Sequence, residues 1–314
     1  EFEVVPQEPI RVKGKHTPIQ TYVVTRKKPR AFRRMTRGVE GIETRMIGRN
    51  AEFRHLQDTL STVIDDRELQ MVTISGEAGI GKSRLLYEFE NWVDLQAQDV
   101  RIFKGRAREQ TRNLPYGLIR DLFALRFQIA ENDPLPLVHE KMEQGIAELM
   151  GRESQEQAHF IGHLIGYDFA ESPYLQGILD DPKQIRNIAV RALTHCFVAV
   201  TSPGMPAIIL LEDLHWGDEG SLEVLQHLAQ ECHRCPILII GCTRPSLFER
   251  RPLWGDPSTW LKTGGQDRHT HLEVRPLSKR DSRRLVGEIL RHVLDLPTEF
   301  RDLIVHQSKC LNTI

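Results

Sequence analysis

The chain has 314 residues, 40% of them hydrophobic and 27% charged, enough for one large domain or two ordinary ones with a buried core. Its 42 Lys and Arg against 43 Asp and Glu leave a net charge of −1, which excludes a global electrostatic pull toward nucleic acid or an anionic membrane. Apolar runs such as Ala207–Leu211 are far too short to span a bilayer, and five cysteines make no disulfide framework, so a reducing, cytoplasmic setting without membrane contact is expected.

The opening "EFEVVPQEPI" has neither a basic nor an apolar signal region and no initiator Met, so an internal piece of a longer protein is expected. Residues 1–25 carry β-rich runs (Val4-Val5, Ile10, Val12, "PIQTYVVT") broken by Pro and Gly. Seven Lys or Arg then crowd into Arg26–Arg37, and residues 26–45 are expected to form a basic surface linker. No second basic cluster or aromatic ladder accompanies it, so nucleic acid is an unlikely partner on this pattern.

From Met46 strands and helices alternate. "LQMVTIS" predicts a strand, Lys82–Leu95 a helix and Val100–Gly105 a second strand. A helical insert follows over 108–200, with apolar stripes at Leu118, Leu122, Leu125 and Ile129 and at Ile185, Ile188, Ala189, Ala192, Leu193 and Cys196. "AIILLED" and "PILIIGCTRP" read as buried strands around an amphipathic helix at "DEGSLEVLQHLAQEC". "HLEV" predicts an edge strand, before helices at Ser278–Val293 and Pro297–Gln307. This alternation predicts an α/β fold with a mostly parallel five-stranded sheet covered on both faces.

The segment from Gly76 to Ser83 fits G-x-x-x-x-G-K-[ST] at every fixed position. Glycines let successive N–H groups converge on phosphates, and the following helix adds its positive end. Gly76, Glu77, Ala78, Gly79, Ile80, Gly81, Lys82, Ser83 and Arg84 are therefore candidate nucleotide contacts. Lys82 would reach the β/γ oxygens and Ser83 a Mg²⁺ ion.

Two carboxylates, Glu212 and Asp213, end the most apolar run, where parallel sheets bind ligands. In extended geometry they point to opposite faces. By position Glu212 takes the metal and Asp213 the attacking water, and the pattern also admits the reverse. Arg244, ending the next strand, reads equally as a γ-phosphate sensor or as a surface residue before a Pro turn. His215-Trp216 reads as a turn closing the strand, and Cys232-His233-Arg234-Cys235 as a packing element, since no second Cys/His pair lies at metal-site spacing.

"MIGRNAEFRHL", "VTISGEAGIGKSRLLYEF", "AIILLEDLHWGDEGSLEVLQHL", "ILIIGCTRP" and "LEVRPLSKRDSRRLV" together resemble the STAND class of P-loop ATPases (signal transduction ATPases with numerous domains), in particular its bacterial AAA-like branch. The resemblance implies a three-layer P-loop NTPase over 46–275, a partial helical lid over 276–314, and ATP/ADP and Mg²⁺ as cofactors. It places Ile47, Gly48 and Arg49 beside the nucleotide base and makes Arg244 a sensor. Ser83, Glu212 and Asp213 are the candidate metal ligands, with Lys82, Glu212, Asp213 and Arg244 as the catalytic set.

Separately, "PIRVKGKHTPIQTYVV" resembles the closing strands of a class III adenylate/guanylate cyclase domain, whose metal-binding aspartates would lie upstream, so no cyclase activity is expected of this chain. The implied partners are the nucleotide, neighbouring cyclase and helical-repeat domains of a parent protein, and other copies of the chain in a nucleotide-dependent association. The leading expectation is a switch with weak ATPase activity, because Glu212-Asp213 puts the shorter carboxylate at the water. The alternatives are a DNA-binding AAA-type ATPase of the origin-recognition or transcription-regulator type, supported only by Arg26–Arg37, and a small-molecule kinase, for which no acceptor site is evident.

Overall fold

The computed structural model describes residues 2–7, 21–27, 44–96, 98–201, 204–256 and 268–290. The chain divides into two compact units, Glu1–Thr36 and Arg37–Ile314. In the first, β1 (Phe2–Pro6) and β2 (Tyr22–Lys27) pair antiparallel from Phe2↔Lys27 to Pro6↔Tyr22, with the register shifting between Glu3 and Val4. The expected β-rich character holds at Val4-Val5 and Tyr22–Thr25, while Ile10 and Val12 lie outside the described residues. The strand nevertheless runs through Arg26 and Lys27, the first two residues of the expected linker. Residues 28–43, which carry the rest of the basic run, lie outside the described residues.

The second unit is built on five parallel strands, β3 (Gln70–Ser75), β4 (Arg101–Arg106), β5 (Ala207–Glu212), β6 (Ile237–Thr243) and β7 (His269–Glu273), in the order β4-β5-β6-β3-β7. The continuous apolar runs of β3, β5 and β6 are buried almost throughout, as strands covered on both faces must be. Alternate residues feed two separate cores. Ile208, Leu210, Leu238, Ile240, Val72 and Ile74 pack against α1 (Asn50–Asp66) and α2 (Lys82–Asp94). Ile209, Leu211, Ile237, Ile239 and Met71 face the other way, into the helical insert. The three-layer α/β reading from sequence is therefore what the chain adopts, with "HLEV" at the sheet edge as expected.

The insert comprises α3 (Gly117–Arg126), α4 (Leu135–Met150), α5 (Gln155–Leu164) and α6 (Pro182–Val200). Leu118 and Leu122 are buried as their stripe predicts. Ile129 lies beyond α3, which stops at Arg126 before Gln128 turns left-handed (φ 57°). α7 (Glu219–Glu231) starts at Asp218, whose carboxylate caps Ser221 N–H at 2.8 Å and also accepts from Tyr116 N–H at 2.8 Å, tying α7 to the start of α3. A short α8 (Ser246–Arg250) follows β6. After β7, Ser278 caps α9 (Lys279–Ile289), the described part of the expected lid; the helix expected at Pro297–Gln307 lies outside the described residues. Among the described residues no helix is long and apolar enough to cross a membrane.

Candidate functional site

β3 delivers the glycine loop to the carboxyl edge of the sheet, and α2 begins directly after it at Lys82. Gly76 is required by close approach, since a Cβ there would lie 2.8 Å from the Val274 carbonyl oxygen. Gly81 is required by conformation: it is left-handed (φ 101°), and its missing Cβ would point into open space. As the N-cap of α2 it contributes no side-chain acceptor, so the first-turn N–H groups keep their donors for an outside ligand. Glu77, Ala78 and Gly79 are exposed, while Ile80 anchors the loop in the core.

Lys82 Nζ donates to the carbonyl oxygens of Gly76 at 2.7 Å and Glu77 at 2.8 Å. Burial lowers its pKa below the ordinary lysine value; Cys242 and Asp213 oppose that shift, and Arg244 adds to it. Ser83 Oγ donates to Glu212 Oε2 at 2.7 Å, so the fold joins a hydroxyl and a carboxylate that are 129 positions apart in the chain. These are hard oxygen donors beside an uncapped helix start, a set that fits Mg²⁺ and phosphate.

Extended geometry stops one residue short of the expectation. Asp213 is left-handed (φ 56°), because the chain turns at once into a 3₁₀ segment at Leu214–Trp216. Strand alternation therefore does not orient its side chain. What holds the Asp213 carboxylate is Arg106, whose Nε donates at 2.9 Å and whose Nη2 lies 2.8 Å away. Arg106 is the last residue of β4, paired in register with Glu212, and its N–H donates to Asp121 at 2.8 Å. The sequence pattern ends that strand at Gly105 and so passes over Arg106. The signal that marks it is a cation one residue further along a strand adjacent to the acids.

Arg244 is exposed, one residue past β6, and its charge reaches both Lys82 and His215. His215 is buried, 6% exposed, with neither ring nitrogen hydrogen-bonded. Burial lowers its pKa to about 4; Asp213 opposes the shift, while Arg244, Lys82 and Arg250 add to it. The imidazole is thus neutral at pH 7. Arg250 pins this turn, donating to the carbonyls of His215 at 3.1 Å and Gly217 at 2.7 Å. Trp216 packs on the helical-insert core, with the Arg112 guanidinium 6.0 Å from its ring.

Ile47 is half-buried, and Arg49 is 6% exposed. Arg49 Nη2 donates to the Ile80 carbonyl inside the glycine loop at 3.0 Å, while Nη1 pairs with Glu52 at 3.2 Å. A Cβ on Gly48 would lie 2.8 Å from Leu277 and 3.1 Å from Asp281, so this segment also abuts the start of α9. The Arg84 guanidinium turns away from the loop, to the Thr44 carbonyl and Glu88. Loop, Arg49 segment and α9 are thereby one connected neighbourhood.

The profile of the family described as AAA ATPase domain matches residues 45–240. An uncharacterized protein of Rhizobium meliloti (strain 1021) is 30% identical over 221 residues, covering 68% of this chain but only 19% of that protein. Among solved structures, Drosophila ORC bound to DNA is similar at 13% identity and a TM-score of 0.52, over 88% of this chain and 55% of that one. A Walker-type ATPase of Pyrococcus abyssi aligns over 88% of this chain and 67% of that one, at 16% identity and a TM-score of 0.47. The likeness to ORC extends to the fold. The expectation that nucleic acid is an unlikely partner draws no support from these comparisons.

Proposed function

The chain belongs to the AAA ATPase domain family, and from that premise we propose that it is a regulatory Mg-ATP switch with slow hydrolysis. The family implies nucleotide binding and, typically, Mg²⁺. In the proposed site the loop N–H groups of Gly76–Ser83 and the start of α2 hold phosphates, and Lys82 exchanges its loop carbonyls for phosphate oxygens. Ser83 and Glu212 hold the Mg²⁺, whose role when bound is to neutralise phosphate charge. Asp213 orients the attacking water, Arg244 reports the γ-phosphate, and Ile47, Gly48 and Arg49 border the base.

The observation that carries the reading is the Arg106–Asp213 pair. In this reading the short Asp213 carboxylate, set on a left-handed residue and held by a cation, is realigned before it acts. Small misplacement of such a group costs much rate. Holding one conformation while the γ-phosphate is present, and releasing it on hydrolysis, is what a switch requires.

The finer proposal is a STAND-class regulator in the cytoplasm of a bacterium. Residues 1–25 would be the end of a class III cyclase domain without activity of its own, 26–45 a linker, 46–275 the NTPase and 276–314 part of a lid. Its partners would be the neighbouring cyclase and helical-repeat domains and, with nucleotide bound, a second copy. The order of the motifs supports this.

Mass analysis of nucleotide co-purifying with the protein tests the core of the reading. ATP or ADP is expected with the wild type and absent from Lys82→Ala. Wild-type protein that neither retains nor binds nucleotide, or turnover of many ATP per second, overturns it. The second reading, a DNA-binding ATPase, rests on the fold likeness to ORC and on Arg26–Arg37. A duplex-DNA shift that weakens with salt would favour it.

A further inference from the structure

The turn between α7 and β6 holds two thiols that the nucleotide site does not use. Cys232 is the C-cap of α7, and Cys235 N–H donates to the Cys232 carbonyl at 2.9 Å, closing a four-residue turn. Such a turn keeps its end Cα atoms within about 7 Å, against the roughly 4.4–6.8 Å that a disulfide spans. Cys232 Sγ lies 4.0 Å from the Thr194 carbonyl oxygen, its hydrogen-bond acceptor. Cys232 is fully buried and Cys235 half-buried, so one thiol is enclosed and its neighbour is within reach of solvent.

The turn also braces the amino edge of the sheet. The His233 carbonyl accepts from Leu69 N–H at 3.1 Å, just before β3, and the Pro236 carbonyl accepts from Ala207 N–H at 2.9 Å, at the start of β5. This is the end of the strands remote from Lys82 and Glu212.

We propose that Cys232 and Cys235 are a reversible dithiol–disulfide pair, a modification site that takes oxidising equivalents from a small-molecule disulfide. The neighbouring Cys232 side chain lowers the Cys235 thiol below its ordinary pKa, burial opposes the shift, and His233 adds to it. The Cys232 thiol moves upward, through its interaction with Cys235 first and burial second. This asymmetry gives the half-buried Cys235 sulfur the thiolate character that exchange needs. Cys196, by contrast, is enclosed, and burial pushes its thiol up to about 12.

The chemistry balances with oxidised glutathione as the oxidant. The Cys235 thiolate attacks one sulfur, forming a mixed disulfide and expelling one glutathione thiolate. Cys232 then gives its proton to solvent and attacks the Cys235 sulfur, expelling the second. Two protein thiols lose two electrons, and one disulfide becomes two thiols.

The test uses the full chain carrying Cys310→Ser, because Cys310 lies outside the described residues. After incubation with oxidised glutathione, the intact protein is expected to be two hydrogens lighter, with no glutathione retained. Trypsin should cut after Arg234 and leave the peptide ending there joined by a disulfide to the one beginning at Cys235. Dithiothreitol should restore both thiols. In Cys232→Ser the mixed disulfide should persist on Cys235. A wild type in which glutathione stays on Cys235, or in which neither thiol reacts while the chain is folded, overturns the proposal.

Discussion

Arg106 Nε donates to Asp213 Oδ2 across 2.9 Å, joining the last residue of β4 to the first residue after β5. Both side chains are partly exposed, 47% and 28%, so the pair is worth on the order of 0.2–1 kcal/mol, small enough for a bound nucleotide to break. If the pair restrains Asp213, Arg106→Gln should raise steady-state ATP hydrolysis by up to about fivefold while leaving the melting temperature nearly unchanged. A tenfold fall would instead mean that Arg106 aims the carboxylate.

Lys82 is held by two loop carbonyls, and burial disfavours its charge. Lys82→Ala should therefore leave the nucleotide-free protein as stable as the wild type, or slightly more so. It should abolish the stabilisation by Mg-ATP, which for the wild type is about 2.7 kcal/mol at a hundredfold excess over Kd. Thermal unfolding with and without Mg-ATP measures both.

His215 supplies a pH dependence. Its folded pKa, about 4, lies below the ordinary value of 6.5, so the unfolded chain binds the proton first. The contribution is complete above pH 6.5, shrinks as pH falls through that value and is lost near pH 4. Its full size is on the order of 3 kcal/mol. In nucleotide-free protein, urea midpoints measured between pH 7 and 4.5 should fall less steeply for His215→Gln than for the wild type.

Gly76 and Gly81 should fail in different ways. Alanine at 76 meets the Val274 backbone, 2.8 Å from its Cβ, and should cost roughly 1–3 kcal/mol by forcing β7 to shift. Alanine at 81 meets nothing but must hold φ 101°, which costs on the order of 1 kcal/mol and misaims the loop N–H groups. Equilibrium unfolding should rank Gly76→Ala below Gly81→Ala, with nucleotide affinity reduced in both.

The sequence by itself determined what is local. The glycine loop is a run of eight residues whose shape follows from Gly at the turn positions and Lys82-Ser83 at the helix start. The strands before Gly76 and Glu212 announce themselves because a strand buried on both faces must be continuously apolar. Glu212 could be named because the acids end such a run. Ile47–Arg49 came from motif resemblance, with no local chemistry to mark them.

Only the tertiary structure decided the contacts that depend on strand order. β4 lies beside β5 although 100 residues and four helices separate them, and that placement alone sets Arg106 on Asp213. Ser83 meets Glu212 through packing across β6, Arg49 reaches the Ile80 carbonyl through the docking of α1, and Asp213 leaves the extended region because the next residues turn at once. Spacing along a chain records backbone periodicity. A single hydrogen bond between distant strands leaves no period to read.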